Sequence, residues 1–335
     1  MSELRKDPVS RRWVIFSPDR AHRPVDVKSK GEEKIQEEVV NCPFCEGKEK
    51  IAGTEILAYD KILGRKPNTP GWWVRVLENK YPALENKENL EKRAEGIYDW
   101  MNDLGRHEII VETPNHFIQL PDLTEEEIEK VLLSFKERYY NIKNNPHIEY
   151  ILIFKNYGKE AGASLQHSHS QLIATPVVPN RVKEEIKNSH EYYTFRDRCI
   201  FCDIVTQELS SRKRIIEENS DFVSFVFYAG RFPYETWILP KEHASNFEDT
   251  SIEKIRSLAE ILKKTLTKIQ KALNDTPYNL VFHTLPVKMK DKEYFHWHIE
   301  IMPKTTRVAG FEWGSGFYIN PILPEDAAKI LNSVE

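Results

Sequence analysis

Cys42-Pro-Phe-Cys45, Pro114-Asn-His116 and His167-Ser-His169-Ser-Gln171, in that order, have counterparts later in the same chain: Cys199-Ile-Phe-Cys202, Pro240-Lys-Glu-His243 and His296-Trp-His298. The lone histidine precedes the first histidine of the H-x-H by 51 residues in one series and by 53 in the other. Each interval holds the same punctuation, a helix start followed by a strand of mixed apolar character. Self-similarity of this kind means one supersecondary unit built twice, and it governs how every other segment is read.

The helix signals stand independently of the repeat. Thr124 and Glu127 have capping-box spacing, after which Ile128, Val131, Leu132, Phe135 and Tyr139 recur at helical intervals and define a buried face. Thr250 and Glu253 repeat that start, followed by Ile255, Leu258, Ile261, Leu262, Leu266, Ile269 and Leu273. Strands are expected at 72–77, 107–112, 149–154, 222–228, 236–239, 280–282 and 297–302. Each half reads as α+β, a mainly antiparallel sheet crossed by one long helix, with the halves at 1–182 and 183–335. The charged run 28–38 reads as a solvated loop, and 183–198 as the connection between halves.

The length of 335 residues suits two domains or two fused halves, and 16 Phe, 14 Tyr and 7 Trp supply material for large cores. Lys and Arg number 48 against 52 Asp and Glu, a net charge of −4 with no basic block, so nucleic acid is not an expected partner. Charges stand at the N-terminus where a signal peptide needs an apolar core, and no apolar run is long enough to span a membrane. A cytoplasmic location is expected. In a reducing compartment the two C-x-x-C pairs point to zinc rather than disulfides.

Zinc prefers four nitrogen or sulfur ligands in a tetrahedron, and a C-x-x-C turn supplies two thiolates. Position in the repeat nominates Cys42, Cys45, His116 and His167 for one ion, and Cys199, Cys202, His243 and His296 for another. Chelation of one ion by His167 and His169 together is the alternative at the H-x-H. If 162–171 is extended, His167, His169 and Gln171 share one face, with Ser168 and Ser170 on the other. With His167 on zinc, His169 is free. A neutral imidazole attacks phosphorus without a separate base, and Gln171 donates a hydrogen bond to a non-bridging phosphoryl oxygen. Gly162, Ala163 and Ser164 allow backbone to approach a phosphate closely.

These motifs, with Ser17-Pro-Asp-Arg20-Ala-His-Arg23-Pro24, Asn79-Lys-Tyr-Pro82 and Gly310-Phe-Glu312-Trp-Gly-Ser-Gly316, resemble the galactose-1-phosphate uridylyltransferase family of the histidine-triad superfamily over nearly the whole chain. The resemblance implies His169 as a nucleophile that becomes nucleotidylated, and zinc on Cys42, Cys45, His116 and His167. It also implies contacts to nucleotide or phosphate from Asn79, Asn156, Ser164 and Gln171, with Arg20 and Arg23 near the sugar phosphate. Gly310, Phe311 and Glu312 are carried over as substrate-binding residues. Ser168 and Ser170 depart from the family's H-P-H-G-Q and are similar to plant ADP-glucose phosphorylase-like members, as are the second C-x-x-C and the segment from Gly310. Some uridylyltransferases hold a second metal with one glutamate and three histidines, to which Glu185, His283, His296 and His298 correspond. Thiolates bind zinc more strongly, so the Cys199 set is favoured for His296.

The implied activity is ping-pong nucleotidylyl transfer, foremost between UDP-glucose and galactose 1-phosphate. Adenylyl transfer, by ADP-glucose phosphorolysis or between adenylylsulfate and phosphate, is the alternative. A histidine-triad nucleotide-binding or hydrolytic protein is the further rival, although such hydrolases place a third histidine where Gln171 stands. The expected partners are a nucleotide sugar, a sugar 1-phosphate or other phosphate acceptor, and a second copy of the chain. Two structural zinc ions are expected, and the second half, with Glu300 in the place of Gln171, is expected to be structural.

Overall fold

A computed structural model describes residues 2–22, 42–289 and 292–334. The loop expected at 28–38 and Arg23 lie outside the described residues.

Five strands of the first half are β3 (Glu55–Asp60), β4 (Trp72–Glu78), β7 (Arg106–Val111), β8 (Tyr150–Tyr157) and β9 (His169–Thr175). Five of the second are β10 (Ile215–Glu218), β11 (Phe222–Val226), β12 (Thr236–Pro240), β13 (Tyr278–His283) and β14 (His298–Pro303). All ten join in one antiparallel sheet, ordered β3-β4-β7-β9-β8 and then β13-β14-β12-β11-β10. Each half thus reads hairpin, third strand, then the fifth strand inserted between the third and the fourth. The two halves meet edge to edge where Phe282 pairs with Ile153 and Tyr278 with Tyr157. Joining the innermost strands removes two exposed sheet edges at once.

Seven α-helices lie among the described residues. These are α1 (Glu49–Ala52), α2 (Glu125–Lys143), α3 (Asn180–Arg196), α4 (Ile200–Ser211), α5 (Ile252–Ala272), α6 (Gly310–Ser315) and α7 (Pro324–Asn332). The long helices α2 and α5 follow β7 and β12 respectively, the same position in each half. The Thr124 capping box forms: Glu127 N–H donates to Thr124 Oγ1 at 3.2 Å and Thr124 N–H to Glu127 Oε2 at 2.8 Å. In the second half the cap differs from the sequence expectation. Ser251, not Thr250, caps α5 by accepting from Lys254 N–H at 3.3 Å, because Thr250 closes the preceding 3-10 turn Phe247–Asp249.

Ile128, Leu132, Tyr139, Ile255, Leu258, Leu262 and Leu266 are buried in one core that runs beneath both halves of the sheet. Burying each large side chain stabilises by about 1.5–3 kcal/mol. A second core on the other face gathers Val14, Phe16, Phe201, Phe225, Trp237 and Leu285. The segment expected at 183–198 to connect the halves is helical, as α3. The chain ends also meet: β15 (Tyr318–Asn320) pairs in parallel with β2 (Trp13–Phe16), which pairs with β1 (Glu3–Lys6). The remaining strands, β5 (Lys92–Glu95) and β6 (Tyr98–Met101), form an exposed hairpin. No helix among the described residues is long and apolar enough to cross a membrane.

Candidate active site and metal centres

The 42–45 turn lies against the entry to β9, and the four residues nominated by position in the repeat converge there. The ligand atoms of Cys42, Cys45, His116 and His167 all fall within 4.8 Å of one another. His167 Nδ1 is 3.5 Å from Cys42 Sγ and 3.6 Å from Cys45 Sγ, while His116 Nδ1 is 3.4 Å from Cys45 Sγ. His167 Nε2 donates to the Thr113 carbonyl at 2.7 Å, so Nδ1 is left as a lone pair aimed at the thiols. That tautomer, with one nitrogen fixed by a carbonyl, is the one a metal-binding histidine needs. These groups can bind a metal ion, and the chemistry of the donor set fits zinc.

The second half repeats the cluster with Cys199, Cys202, His243 and His296. Cys202 Sγ is 3.3 Å from His243 Nδ1 and 3.6 Å from His296 Nδ1. The two ligand sets to which spacing assigns His296 are therefore separate in space, with His296 in the cysteine set. Glu185, His283 and His298 gather apart from the cysteines, with His283 Nδ1 3.2 Å and His298 Nε2 3.3 Å from the Glu185 carboxylate.

His169 opens β9 and does not face the thiols. Its Nδ1 donates to the His167 carbonyl at 2.8 Å, and no group among the described residues hydrogen-bonds its Nε2. Nδ1 therefore carries the proton, and Nε2 the lone pair. Burial and the nearby Lys155 ammonium both lower the pKa of His169, keeping the ring neutral. Its ring sits 5.4 Å from that of Phe44, one of the two residues between Cys42 and Cys45.

The alternation expected for the H-S-H-S-Q segment holds. Ser168 and Ser170 point away from His169, and both donate to Glu112, at 2.5 Å each. Lys155 Nζ completes this buried set, 2.7 Å from Glu112 Oε2, 3.0 Å from Ser168 Oγ and 3.2 Å from the His169 carbonyl. Burial works against the Glu112 carboxylate, yet Lys155 and the two hydroxyls hold it below the usual range. Neither Glu112 nor Lys155 was singled out in the sequence. Lys155 had a signal, a lone charge inside the otherwise uncharged strand β8, whereas Glu112 follows β7, which already carries Arg106 and Glu108.

Gln171 and Asn156 lie on the His169 side. Gln171 Oε1 is 2.9 Å from His107 Nε2, and Asn156 Oδ1 accepts from Asn279 at 2.8 Å. Asn79 packs on His107, with its amide nitrogen 3.1 Å from Nε2. The turn beside them needs two glycines: Gly158 and Gly162 have φ of 80° and 90°, and a Cβ on Gly158 would meet Pro277 at 2.7 Å. Gly162 N–H and Ala163 N–H are used inside this turn, bonding Lys159 O and Gly158 O, while Ser164 is exposed. Arg20 is exposed in the 3-10 turn Pro18–His22. Gly310, Phe311 and Glu312 open α6 beside β15. Glu312 caps that helix by accepting from Ala309 N–H at 3.0 Å, and no hydrogen bond joins the three to the His169 cluster among the described residues.

The second H-x-H has the same backbone habit, with His298 Nδ1 donating to the His296 carbonyl at 3.1 Å. Its Nε2 side, however, is closed. His298 stacks between His283, at 4.6 Å, and Trp237, at 4.7 Å. Glu300, the counterpart of Gln171, is bound by Arg181 at 2.8 Å and Arg231 at 2.6 Å. Burial alone would raise Glu300, but Arg181, Arg231 and His283 outweigh it and hold the carboxyl well below its usual value.

Comparison with known proteins matches residues 1–179 to the N-terminal domain of galactose-1-phosphate uridyl transferase, and residues 105–334 to a domain of unknown function, DUF4921. The chain is 42% identical to ADP-glucose phosphorylase of Arabidopsis thaliana, across 99% of this chain and 93% of that protein. It is 31% identical to galactose-1-phosphate uridylyltransferase of Thermotoga maritima, across 100% and 99%. Among solved structures, the Arabidopsis thaliana ADP-glucose phosphorylase with bound ADP-glucose superposes with a TM-score of 0.85 at 38% identity, covering 100% of both chains.

Proposed function

Because the chain belongs to the galactose-1-phosphate uridylyltransferase family, whose members are nucleotidyltransferases, we propose that it moves a nucleoside monophosphate from a nucleoside diphosphate hexose to a second phosphate through a covalent intermediate on His169. The observation that carries this reading is the fixed tautomer of His169, with Nδ1 tied to the His167 carbonyl and Nε2 unpartnered among the described residues. The Nε2 lone pair forms a bond to the α-phosphorus while the phosphoanhydride bond to the sugar phosphate breaks, and hexose 1-phosphate departs with the electron pair. An oxygen of the acceptor phosphate then attacks the same phosphorus and His169 returns to its starting state. The Gln171 carboxamide meets the charge that grows on the non-bridging oxygens. Asn156, at the end of β8, and Ser164, just after the glycine turn, serve the phosphates, Asn79 serves the nucleotide, and Arg20 and Arg23 serve the sugar phosphate.

Zinc would be held by Cys42, Cys45, His116 and His167 and by Cys199, Cys202, His243 and His296, where it supplies a crosslink rather than reaction chemistry. At the first site that crosslink ties the start of β9 to the 42–45 turn. Residues 1–182 carry the catalytic half, residues 183–335 are its structural partner, and a second copy completes a homodimer.

Two nucleotides fit the family. The greater identity to ADP-glucose phosphorylase than to the Thermotoga uridylyltransferase, 42% against 31%, favours adenylyl transfer with ADP-glucose. Uridylyl transfer between UDP-glucose and galactose 1-phosphate is the second reading, supported by the match over residues 1–179. Exchange of labelled glucose 1-phosphate into ADP-glucose and into UDP-glucose, under identical conditions, tests both. Faster exchange into ADP-glucose is expected. Exchange into UDP-glucose alone selects the second reading, and exchange into neither removes the nucleotide-sugar assignment.

A further inference from the structure

Two carboxamides face the reacting phosphate in the reading above, and a carboxamide helps there only when its NH2 end, not its oxygen, points at the developing charge. Neighbouring side chains settle which end that is. The Ala83 backbone N–H can only donate, and it lies 3.0 Å from His107 Nδ1, so Nδ1 is an acceptor and the proton of the neutral ring is on Nε2. That Nε2–H then donates to the oxygen of Gln171 at 2.9 Å. The Asn79 amide nitrogen, whose partner oxygen accepts from Tyr81 N–H at 2.9 Å, approaches both ring nitrogens, 3.1 Å from Nε2 and 3.4 Å from Nδ1, and leaves the tautomer to the Ala83 N–H, which takes the single Nδ1 lone pair. The NH2 of Gln171 is left to face away from His107.

Asn156 is fixed by parallel logic from the other half of the molecule. The Ala161 carbonyl can only accept, and Asn279 is 2.8 Å from it, so that end of Asn279 is its NH2. The same NH2 donates to Asn156 at 2.8 Å, which makes the contacted atom Oδ1. Asn156 Nδ2 is thereby turned toward the glycine turn, where a Cβ on Gly162 would meet it at 3.8 Å. Asn279 stands on β13, opposite Asn156 across the seam between the halves.

We propose that His107 and Asn279 are positioning residues that hold the carboxamide oxygens of Gln171 and Asn156 and present both NH2 groups to the phosphate in transit. This rests on the nucleotidyl-His169 reading and adds to it a specific role for the second half. Neither residue touches the reacting atoms; each acts through one amide.

The test is the single-turnover rate at which labelled nucleotide sugar nucleotidylates the protein, measured with metal content and melting temperature. Asn279→Asp is nearly isosteric but offers only acceptors to Ala161 and Asn156, so it should turn the Asn156 amide over and slow labelling by about 100-fold. Asn279→Ala, which removes the constraint without reversing it, should slow labelling less. His107→Ala should also slow labelling, and the loss should vanish in a Gln171→Ala background, as should that of Asn279→Asp in Asn156→Ala. The effect should fall on the labelling rate, with the half-saturating nucleotide-sugar concentration little changed. Full, additive losses in the double variants, equal losses for Asn279→Asp and Asn279→Ala, or labelling at the parental rate would overturn the proposal. If His107→Ala loses metal or melts early, the Asn279 pair decides. If the parent chain is never labelled, or His169→Ala still is, the nucleotidyl-His169 reading is what fails.

Discussion

The two halves place the same strands around the same H-x-H but distribute polarity in opposite ways. Phe154 faces Gln171 in the first half as Val281 faces Glu300 in the second, which aligns the halves residue by residue. On the helix side of the sheet, the first half buries Glu112, Lys155, Ser168 and Ser170, and the second buries Pro240, Phe282, Trp297 and Ile299. On the other side, the first half has neutral His169, Gln171 and Asn156, whereas the second has His298, Glu300 and His283 in a closed ion cluster with Glu185, Arg181 and Arg231. A reactive histidine needs an open lone pair above and a fixed backbone below. The first half meets both needs by putting its charges underneath, and the second gives up reactivity by putting them on top.

The sharpest way to break this comparison is to delete each histidine in turn. His169→Ala is expected to lower nucleotidyl transfer by at least about 10⁴-fold with metal content unchanged. His298→Ala should leave the chemical step within a few-fold of the parent. Loss of one metal equivalent in His169→Ala would favour the H-x-H chelate and dissolve the distinction.

Lys155→Met probes the layer beneath the nucleophile. It leaves the Glu112 carboxylate buried without its cation, so unfolding in urea should show a loss of about 3–5 kcal/mol. Replacing Glu112, Lys155, Ser168 and Ser170 together by apolar residues, as in the second half, should recover much of that loss while transfer stays impaired.

The ion cluster of the second half makes the smallest prediction. Burial would lower His283, but Glu300 and Glu185 outweigh it and raise its pKa to about 9. An unfolded histidine titrates near about 6.5, so the folded state binds the proton more tightly. The stabilisation is therefore complete below about pH 6.5 and is lost as pH rises through about 9. His283→Gln should melt below the parent by an amount on the order of 3 kcal/mol at pH 6, narrowing toward zero above pH 10. A pH-independent gap would show that His283 contributes by packing alone.

Much of this was legible in the chain itself. The repeated C-x-x-C, lone histidine, helix and H-x-H announced two similar α+β halves, and counting along the repeat found both four-residue clusters. Period-2 alternation put Ser168 and Ser170 opposite His169, and the Thr124 cap followed from local chemistry. The Thr250 cap failed because Thr250 and Ser251 are adjacent candidates, and only the path of the preceding 3-10 turn selects between them. His296 appeared in two rival ligand sets because ring direction is not encoded by spacing.

What the sequence determined by itself was whatever depends on near neighbours: helix faces, strand alternation, thiol pairs in one turn, and the equivalence of the two halves. The tertiary structure alone decided what depends on residues far apart in the chain meeting across strands. It joined the halves through β8 and β13 into one sheet, put Lys155 under His169 and set His107 against Gln171. It also carried Asn279 from the second half into the first half's site. Hydrogen bonds and ion pairs are short-ranged and directional, so their partners are set by sheet order and register, which backbone pairing between distant segments establishes.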